Sequence, residues 1–430
     1  MRLRIDGGRL LDLVDENLAE ASVLVDDASG EVLAVGRDLP EADRVIRLAG
    51  EVLLPGLIDV HVHLREPGFE AKETIASGAA AAAAGGFTQI ACMPNTKPPI
   101  DDPERVRYVL RQAKAAGAAR VWPIACITKG QAGKELTDAA ALKAAGAVAL
   151  SDDGKGVQDG GLMRRALAQA AAAGLPVAVH AEDETIAGGG VLHAGAARRL
   201  GLPEIPPEAE AAMIARDILL AEQTGAHLHV CHVSTAQSVD LIRWAKQRGV
   251  RITAEVAPHH LLLADDAITA DDAVYKVNPP LRSERDRQAC VAGFLDGTLD
   301  MIATDHAPHT AEEKQKPIAE APFGMVGIEI AFPLLYTHFV AAGRLRLAEL
   351  VRRMSTRPAQ AFGLAGGVIR PGGPADLVAV RLGEERVIRP EAFRSKGRNT
   401  PFAGWPVCGW PVLTVAQGRV IFDERGEPHV

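Results

Sequence analysis

The period of the hydrophobic positions changes twice along the 430-residue chain. From 1 to 53, short stretches at 3–5, 22–25, 32–35 and 45–48 alternate apolar and polar residues, with Gly, Asp and Pro between them. That pattern predicts a small antiparallel β unit. From about 54 to 363, apolar runs of strand length alternate with helical patterns. Strands are expected at 56–63, 87–93, 121–127, 147–151, 177–181, 227–233, 252–257 and 300–305, and helices at 72–84, 103–116, 136–145, 162–173, 208–223, 236–248 and 285–295. Beyond 363 the alternation returns at 375–380 and 412–421, after a Pro371-Gly372-Gly373-Pro374 turn.

Eight strands in βα order predict a (β/α)8 TIM barrel over 54–363. The rival, a doubly wound sheet, would want a GxGxxG phosphate loop, and no strand is followed by one. The β-rich ends, 1–53 and 364–430, are expected to pair into one small flanking β-sandwich. Alanine runs at 79–84 and 168–173 fall in helical segments, where Ala is the strongest helix former.

Candidate chemistry begins at 56–65, Gly-Leu-Ile-Asp-Val-His-Val-His-Leu-Arg. A period of two puts His61 and His63 on one strand face, where they could grip one metal ion. Alone, such a pair is more often a polar rim. In a barrel, however, catalytic groups gather at the C-terminal ends of the strands, and four other ends carry Asp152-Asp153, His180, His232 and Asp305-His306. Imidazoles and carboxylates capping apolar strand bodies are not the pattern of scattered core histidines. Alternation selects Leu228, Val230 and His232 as the inward face of the sixth strand, leaving His227 and His229 toward the surface or the helices. On the eighth it selects Met301, Ala303 and Asp305. By the same parity Asp59 points inward beneath His61 and His63. His259 and His260 lie past Pro258, as loop residues or a helix start.

Four histidines and two carboxylates exceed the ligands of one zinc and suit two ions sharing a bridging carboxylate and water. Asp305 is placed to carry a proton, so the implied chemistry is metal-assisted attack on an amide-like carbonyl. Arg65, Asn95, Asn278 and His309 offer a cationic fork, two amides and an imidazole, a set suited to the carboxylate of a small molecule. Asn95 and Asn278 also sit beside Pro, where turn chemistry would explain them equally well.

Composition narrows the partners. A net charge of −8 argues against nucleic acid or an anionic membrane, and no apolar run is long enough to span a bilayer. Five scattered cysteines without CxxC spacing fit reduced thiols in the cytoplasm.

The runs GLIDVHVHLREPG (56–68), MPNTKPPID (93–101), DDGKGVQD (152–159), CHVSTAQS (231–238), VNPPLR (277–282) and ATDHAPH (303–309) together resemble the dihydroorotase branch of the amidohydrolase superfamily, in its long bacterial type. The resemblance implies that His61, His63 and Asp305 bind one zinc, His180 and His232 a second, and Asp153 bridges the two. It implies that Arg65, Asn95 and His309 hold the substrate carboxylate, while Asn278 and the Pro322-Phe323-Gly324 turn line the ring pocket. The activity implied is zinc-dependent, reversible cyclisation of N-carbamoyl-L-aspartate to L-dihydroorotate in pyrimidine synthesis. The expected setting is a cytoplasmic homo-oligomer, with aspartate transcarbamoylase as a candidate partner. A hydantoinase- or allantoinase-like enzyme is the nearest alternative, and a metal-free scaffold paralogue the second. Arg65 speaks against the first, the complete ligand set against the second. Hydantoinases bridge their metals with a carboxylated lysine at the end of the fourth strand. Here that strand ends without one, so Asp153 takes the role and Lys155 reads as a loop residue. The charged loop 310–322 is either a lid or an ordinary solvated loop.

Overall fold

A computed structural model describes residues 1–425; positions 426–430, the end of the expected flanking domain, lie outside it. Eight parallel strands form one sheet, ordered as in the sequence: β1 (Leu57–Val62), β2 (Phe87–Cys92), β3 (Arg120–Ala125), β4 (Ala149–Leu150), β5 (Val177–Val179), β6 (Leu228–Val230), β7 (Ile252–Val256) and β8 (Met301–Ile302). No backbone ladder joins β8 to β1 among the described residues. The ring closes just beyond the strand ends, where His63 N–H donates to the His306 carbonyl at 2.8 Å. Beside this bond the Asp59 carboxylate accepts from the Thr304 hydroxyl and amide.

Helices fill the crossovers, and several βα turns deliver a capping side chain. Thr74 and Ser77 form a capping box at Ile75–Ala84, which shortens the helix expected from 72. Asp102, Asp159, Thr235 and Ser283 cap later helices, each accepting from a backbone N–H of the first turn.

Two apolar layers hold the barrel. Leu57, Val62, Ile90, Leu150, Val177, Leu228, Val230 and Ile302 pack outward against the helices. Ile58, Val60, Ala91, Met93, Ile124, Ala149, Ala178, Cys231, Met301 and Ala303 fill the interior. Each fully buried large side chain contributes roughly 1.5–3 kcal/mol.

This layering corrects the reading of β6. Leu228 and Val230 face the helices, so His227 and His229 are not surface residues. His229 is fully buried inside the barrel, bonded to Glu255 at 2.9 Å and Thr253 at 2.8 Å, with its ring 5.0 Å from Phe362. His232 still reaches the centre because the chain turns there, with φ +34. Asp59 is a second correction. Ile58 and Val60 occupy the interior, and Asp59 binds along the β1–β8 seam rather than beneath the imidazoles.

Both termini build the flanking sheets. A four-stranded sheet runs Glu31–Gly36, Ser22–Asp26, Arg2–Asp6, Arg44–Arg47. A six-stranded sheet runs Arg419–Asp423, Trp410–Ala416, Leu377–Arg381, Val52–Pro55, Arg9–Leu11, Leu18–Glu20, so C-terminal strands pair directly with N-terminal ones. The single strand expected at 412–421 is a hairpin, turned at Gln417 (φ +48) and Gly418 (φ +75).

Candidate metal centre and active site

A cavity of 310 Å³ opens at the C-terminal end of the barrel. Of the twelve residues the sequence nominates, all but His61 and His309 line it, and those two are buried. Local irregularities aim the side chains. The ladder between β1 and β2 slips between Asp59 and Val62, spending three steps against two. This bulge shifts the phase, so that Val60 packs inside and His61 and His63 still reach the centre. Asp152 is pinned beyond β3 by Ile127 N–H at 2.9 Å and by the amide and hydroxyl of Thr128, which leaves Asp153 turned into the cavity. Asp305, like His232, has a positive φ (+49), a conformation uncommon for a non-glycine residue.

Six side chains converge. His61 Nε2 lies 3.4 Å from both Asp153 Oδ1 and Asp305 Oδ1. His63 Nε2 lies 3.0 Å from Asp305 Oδ1 and 3.6 Å from Asp153 Oδ2. His180 Nδ1 and His232 Nε2 approach to 3.0 Å and lie 3.8 and 3.7 Å from Asp153 Oδ1. Ligands bonded at 2.0–2.2 Å to a tetrahedral ion stand about 3.3–3.5 Å apart, so these spacings fit metal coordination. His61, His63 and Asp305 form one compact ligand group, and His61, Asp153 and His232 another. His61 Nε2 and Asp153 Oδ1 are buried without a hydrogen-bond partner, as donors directed at a cation would be.

Neighbouring groups fix the ring orientations. His61 Nδ1–H donates to Glu255 at 2.6 Å, and His63 Nδ1–H to Asn95 Oδ1 at 3.0 Å, turning both Nε2 atoms toward the carboxylates of Asp153 and Asp305. Asn95 also donates to Asp153 at 3.3 Å, so it braces the ligands rather than only facing a substrate. Burial opposes the Asp153 charge, yet His61, His232, His63 and His180 hold its carboxyl well below the usual range. Asp305 is likewise lowered: burial resists, and the histidines, His63 first, prevail.

The far wall carries the opposite charge. Arg65 is half-buried there; desolvation pulls its pKa to about 10, so it stays cationic, and its Nε–H donates to the Pro308 carbonyl at 3.2 Å. His309 Nε2–H donates to the Phe323 carbonyl at 2.7 Å, and its Nδ1 accepts from Lys72 at 3.3 Å. Burial, with Arg65, Lys72 and Lys314 nearby, pushes His309 down to about 2 and keeps it neutral. Asn278 Nδ2 is 3.5 Å from His180, while its Oδ1 is buried and unpartnered, open to a ligand N–H. Lys155 is exposed and does not line the cavity. His259 and His260 are buried in the short helix Pro258–Leu262, outside the cavity lining. The 310–322 loop is tied down by Lys314, which donates to the carbonyls of Lys276 and Pro322, and by the Lys72–Glu313 pair at 2.8 Å.

Sequence reasoning missed Glu255, which braces both His61 and His229. Its signal was available: a lone carboxylate inside the apolar strand Ile252–Val256. It also missed Asn399, which bonds the His309 amide 90 residues away in the chain.

Comparison with known proteins shows the family and the fold. A family model described as Dihydro-orotase-like matches residues 50–238. The chain is 52% identical over 411 residues to a dihydroorotase of Bacillus caldolyticus, covering 95% of this chain and 96% of that one. It is 52% identical over 426 residues to a dihydroorotase of Brevibacillus brevis, covering 98% and 99%. Among solved structures, an L-hydantoinase from Arthrobacter aurescens superposes with TM-score 0.87 at 30% identity, covering 100% of this chain and 97% of that one. A dihydropyrimidinase from Brevibacillus agri gives 0.83 at 26%, covering 99% and 96%.

Proposed function

The chain belongs to the dihydroorotase family, and from that premise we propose that it interconverts L-dihydroorotate and N-carbamoyl-L-aspartate, running toward ring closure in pyrimidine synthesis. One observation carries the reading: a 310 Å³ cavity has a metal-ligand cluster on one wall and a half-buried arginine on the other. Such a cavity suits a small molecule with an amide carbonyl at one end and a carboxylate at the other.

In this proposal His61, His63 and Asp305 would hold one zinc ion and His180 and His232 a second, with Asp153 available to both. When bound, they lower the pKa of a water and polarise the carbonyl under attack. Asp305, kept ionised among the histidines, takes the water's proton and passes it to the ring nitrogen; in the biosynthetic direction it takes that proton back. Arg65 holds the carboxylate, with His309 fixed beside it. Asn278 Oδ1 receives a ring N–H, and the Phe323-Gly324 turn closes the ring's other side. Such roles need a preorganised site more than a mobile one.

The proposal includes a cytoplasmic setting, which five free cysteines support, and a homo-oligomer with aspartate transcarbamoylase as a candidate partner. No helix among the described residues is long and apolar enough to cross a membrane. The deciding experiment compares hydrolysis of L-dihydroorotate, hydantoin and allantoin by the purified enzyme, alongside its metal content. Turnover of dihydroorotate should exceed that of the uncharged rings by about 100-fold, the discrimination a buried cation–carboxylate contact supplies. Faster hydrolysis of hydantoin or allantoin would overturn the assignment.

A further inference from the structure

The wall that reads the carboxylate is not built by the barrel alone. Residues 394–400, in the C-terminal part of the chain, return across the barrel mouth. Their path is anchored at two carboxylates. Glu329 accepts from the amides of Arg394 (2.9 Å) and Ser395 (3.0 Å). Glu73, fully buried, accepts from the Ser395 hydroxyl and from the Lys396 amide at 3.2 Å, and lies 3.4 Å from His306, the neighbour of Asp305. Beyond the anchors the segment lies against the wall. A Cβ added to Gly397 would meet Pro308 Cβ at 2.7 Å and Val326 Cγ1 at 2.6 Å. Pro308 is the residue whose carbonyl takes the Arg65 Nε–H.

Asn399 ends this contact. Its carboxamide is 7% exposed and uses every polar atom on the wall. Nδ2 donates to the carbonyls of Ala307 (3.2 Å) and Gly324 (3.1 Å), and Oδ1 accepts the His309 amide at 3.2 Å. Two carbonyls and one amide admit only one orientation of the side chain. The two strips it joins are those that meet at His309: Nε2–H donates to the Phe323 carbonyl, and the space beside Gly324 is filled by Ala307 and the His309 ring. Gly324 also has φ +134, so neither strip can be closed up by a larger side chain there.

We propose that Asn399 is a positioning residue for substrate binding. By clamping 307–309 to 323–324 it sets where His309 and the Pro308 carbonyl stand, and through them the Arg65 guanidinium. It touches neither substrate nor any candidate metal ligand side chain, so its effect is confined to the carboxylate end. The inference rests on the dihydroorotase reading for its kinetic consequence, but not for its structural one.

The test uses the full-length enzyme and its Asn399→Ala and Asn399→Asp variants. Asn399→Asp keeps the volume and the acceptor to His309 but sets a carboxylate against two carbonyls. In each variant KM for L-dihydroorotate should rise about tenfold, with kcat changed by less than about threefold and bound metal unchanged. Independently of turnover, the His309 Nε2–H should exchange slowly with solvent in the parent by 15N-edited NMR, and about tenfold or more faster in the variants. Unchanged KM with unchanged exchange overturns the inference. So does a fall in kcat and metal content at constant KM, the mark of a loosened barrel mouth. If the parent turns over hydantoin in place of dihydroorotate, the functional reading fails, while the exchange comparison still decides the role of Asn399.

Discussion

On one wall of the cavity Asp153 and Asp305 stand among four imidazoles, with Glu255 behind them. On the other, Arg65, Lys72 and Lys314 crowd the neutral His309, opposed by Glu313. The first wall is a set of anions and lone pairs directed at a point; the second is a surplus of cations. Each wall is incomplete by a ligand of the opposite charge; the anionic wall is buried, so removing a member there leaves a charge that water cannot screen, whereas the charged groups of the cationic wall are half-buried. A small molecule that is electrophilic at one end and anionic at the other satisfies both. The contrast also explains why the bracing differs. The anionic wall is held by strands β1, β4, β7 and β8, whereas the cationic wall is held by loops stitched together by Asn399.

The largest break in this contrast is Asp153→Ala. It removes the carboxylate that lies within 3.8 Å of four imidazoles, and should cut kcat by about 1,000-fold or more and abolish stoichiometric metal, read by elemental analysis and turnover. On the opposite wall, Arg65→Met should lower kcat/KM for dihydroorotate by about 100-fold, mainly through KM, with metal content unchanged. Glu255→Gln keeps the shape behind His61 but weakens its hold on the ring. Metal affinity by chelator competition should fall about 10- to 100-fold, and this variant would sharpen the contrast by acting on the anionic wall alone.

The smallest effect is a pH dependence. Burial, with Lys276 beside it, pulls Lys314 from 10.5 to about 7. Its charge is therefore present below pH 7 and lost above, and KM for dihydroorotate should rise a few-fold across that interval, about the size of one screened charge. The sign for stability is opposite. A folded pKa below the unfolded one makes unfolding free energy increase with pH between about 7 and 10.5, and Lys314→Met should flatten both profiles.

How far the sequence carries depends on whether a signal is in residue type or in backbone path. The βα order was legible because strand bodies such as Val177–Val179 and helices such as Glu208–Thr224 keep their own periods. The site was legible by type: His61, His63, Asp153, His180, His232 and Asp305 do meet at the strand ends. Strand faces were less so. Alternation cannot show the slip at Asp59–Val62 or the turn at His232, and it reversed β6, hiding the buried pair of His229 and Glu255. The hairpin at Gln417-Gly418 interrupts what reads as one apolar run. Asn399 lies 90 residues from the His309 amide it binds, and no local pattern marks such a pairing.

The seam between β8 and β1 has a mechanical meaning. Elsewhere around the ring, adjacent strands share backbone ladders, but here, among the described residues, the ends meet through the His63–His306 backbone hydrogen bond and the Asp59–Thr304 contact. His61 and His63 stand on one side of that joint and Asp305 on the other. An ion held by all three would act as a clasp on an otherwise open hoop, so that losing it would slacken the circumference of the barrel as well as silence its chemistry.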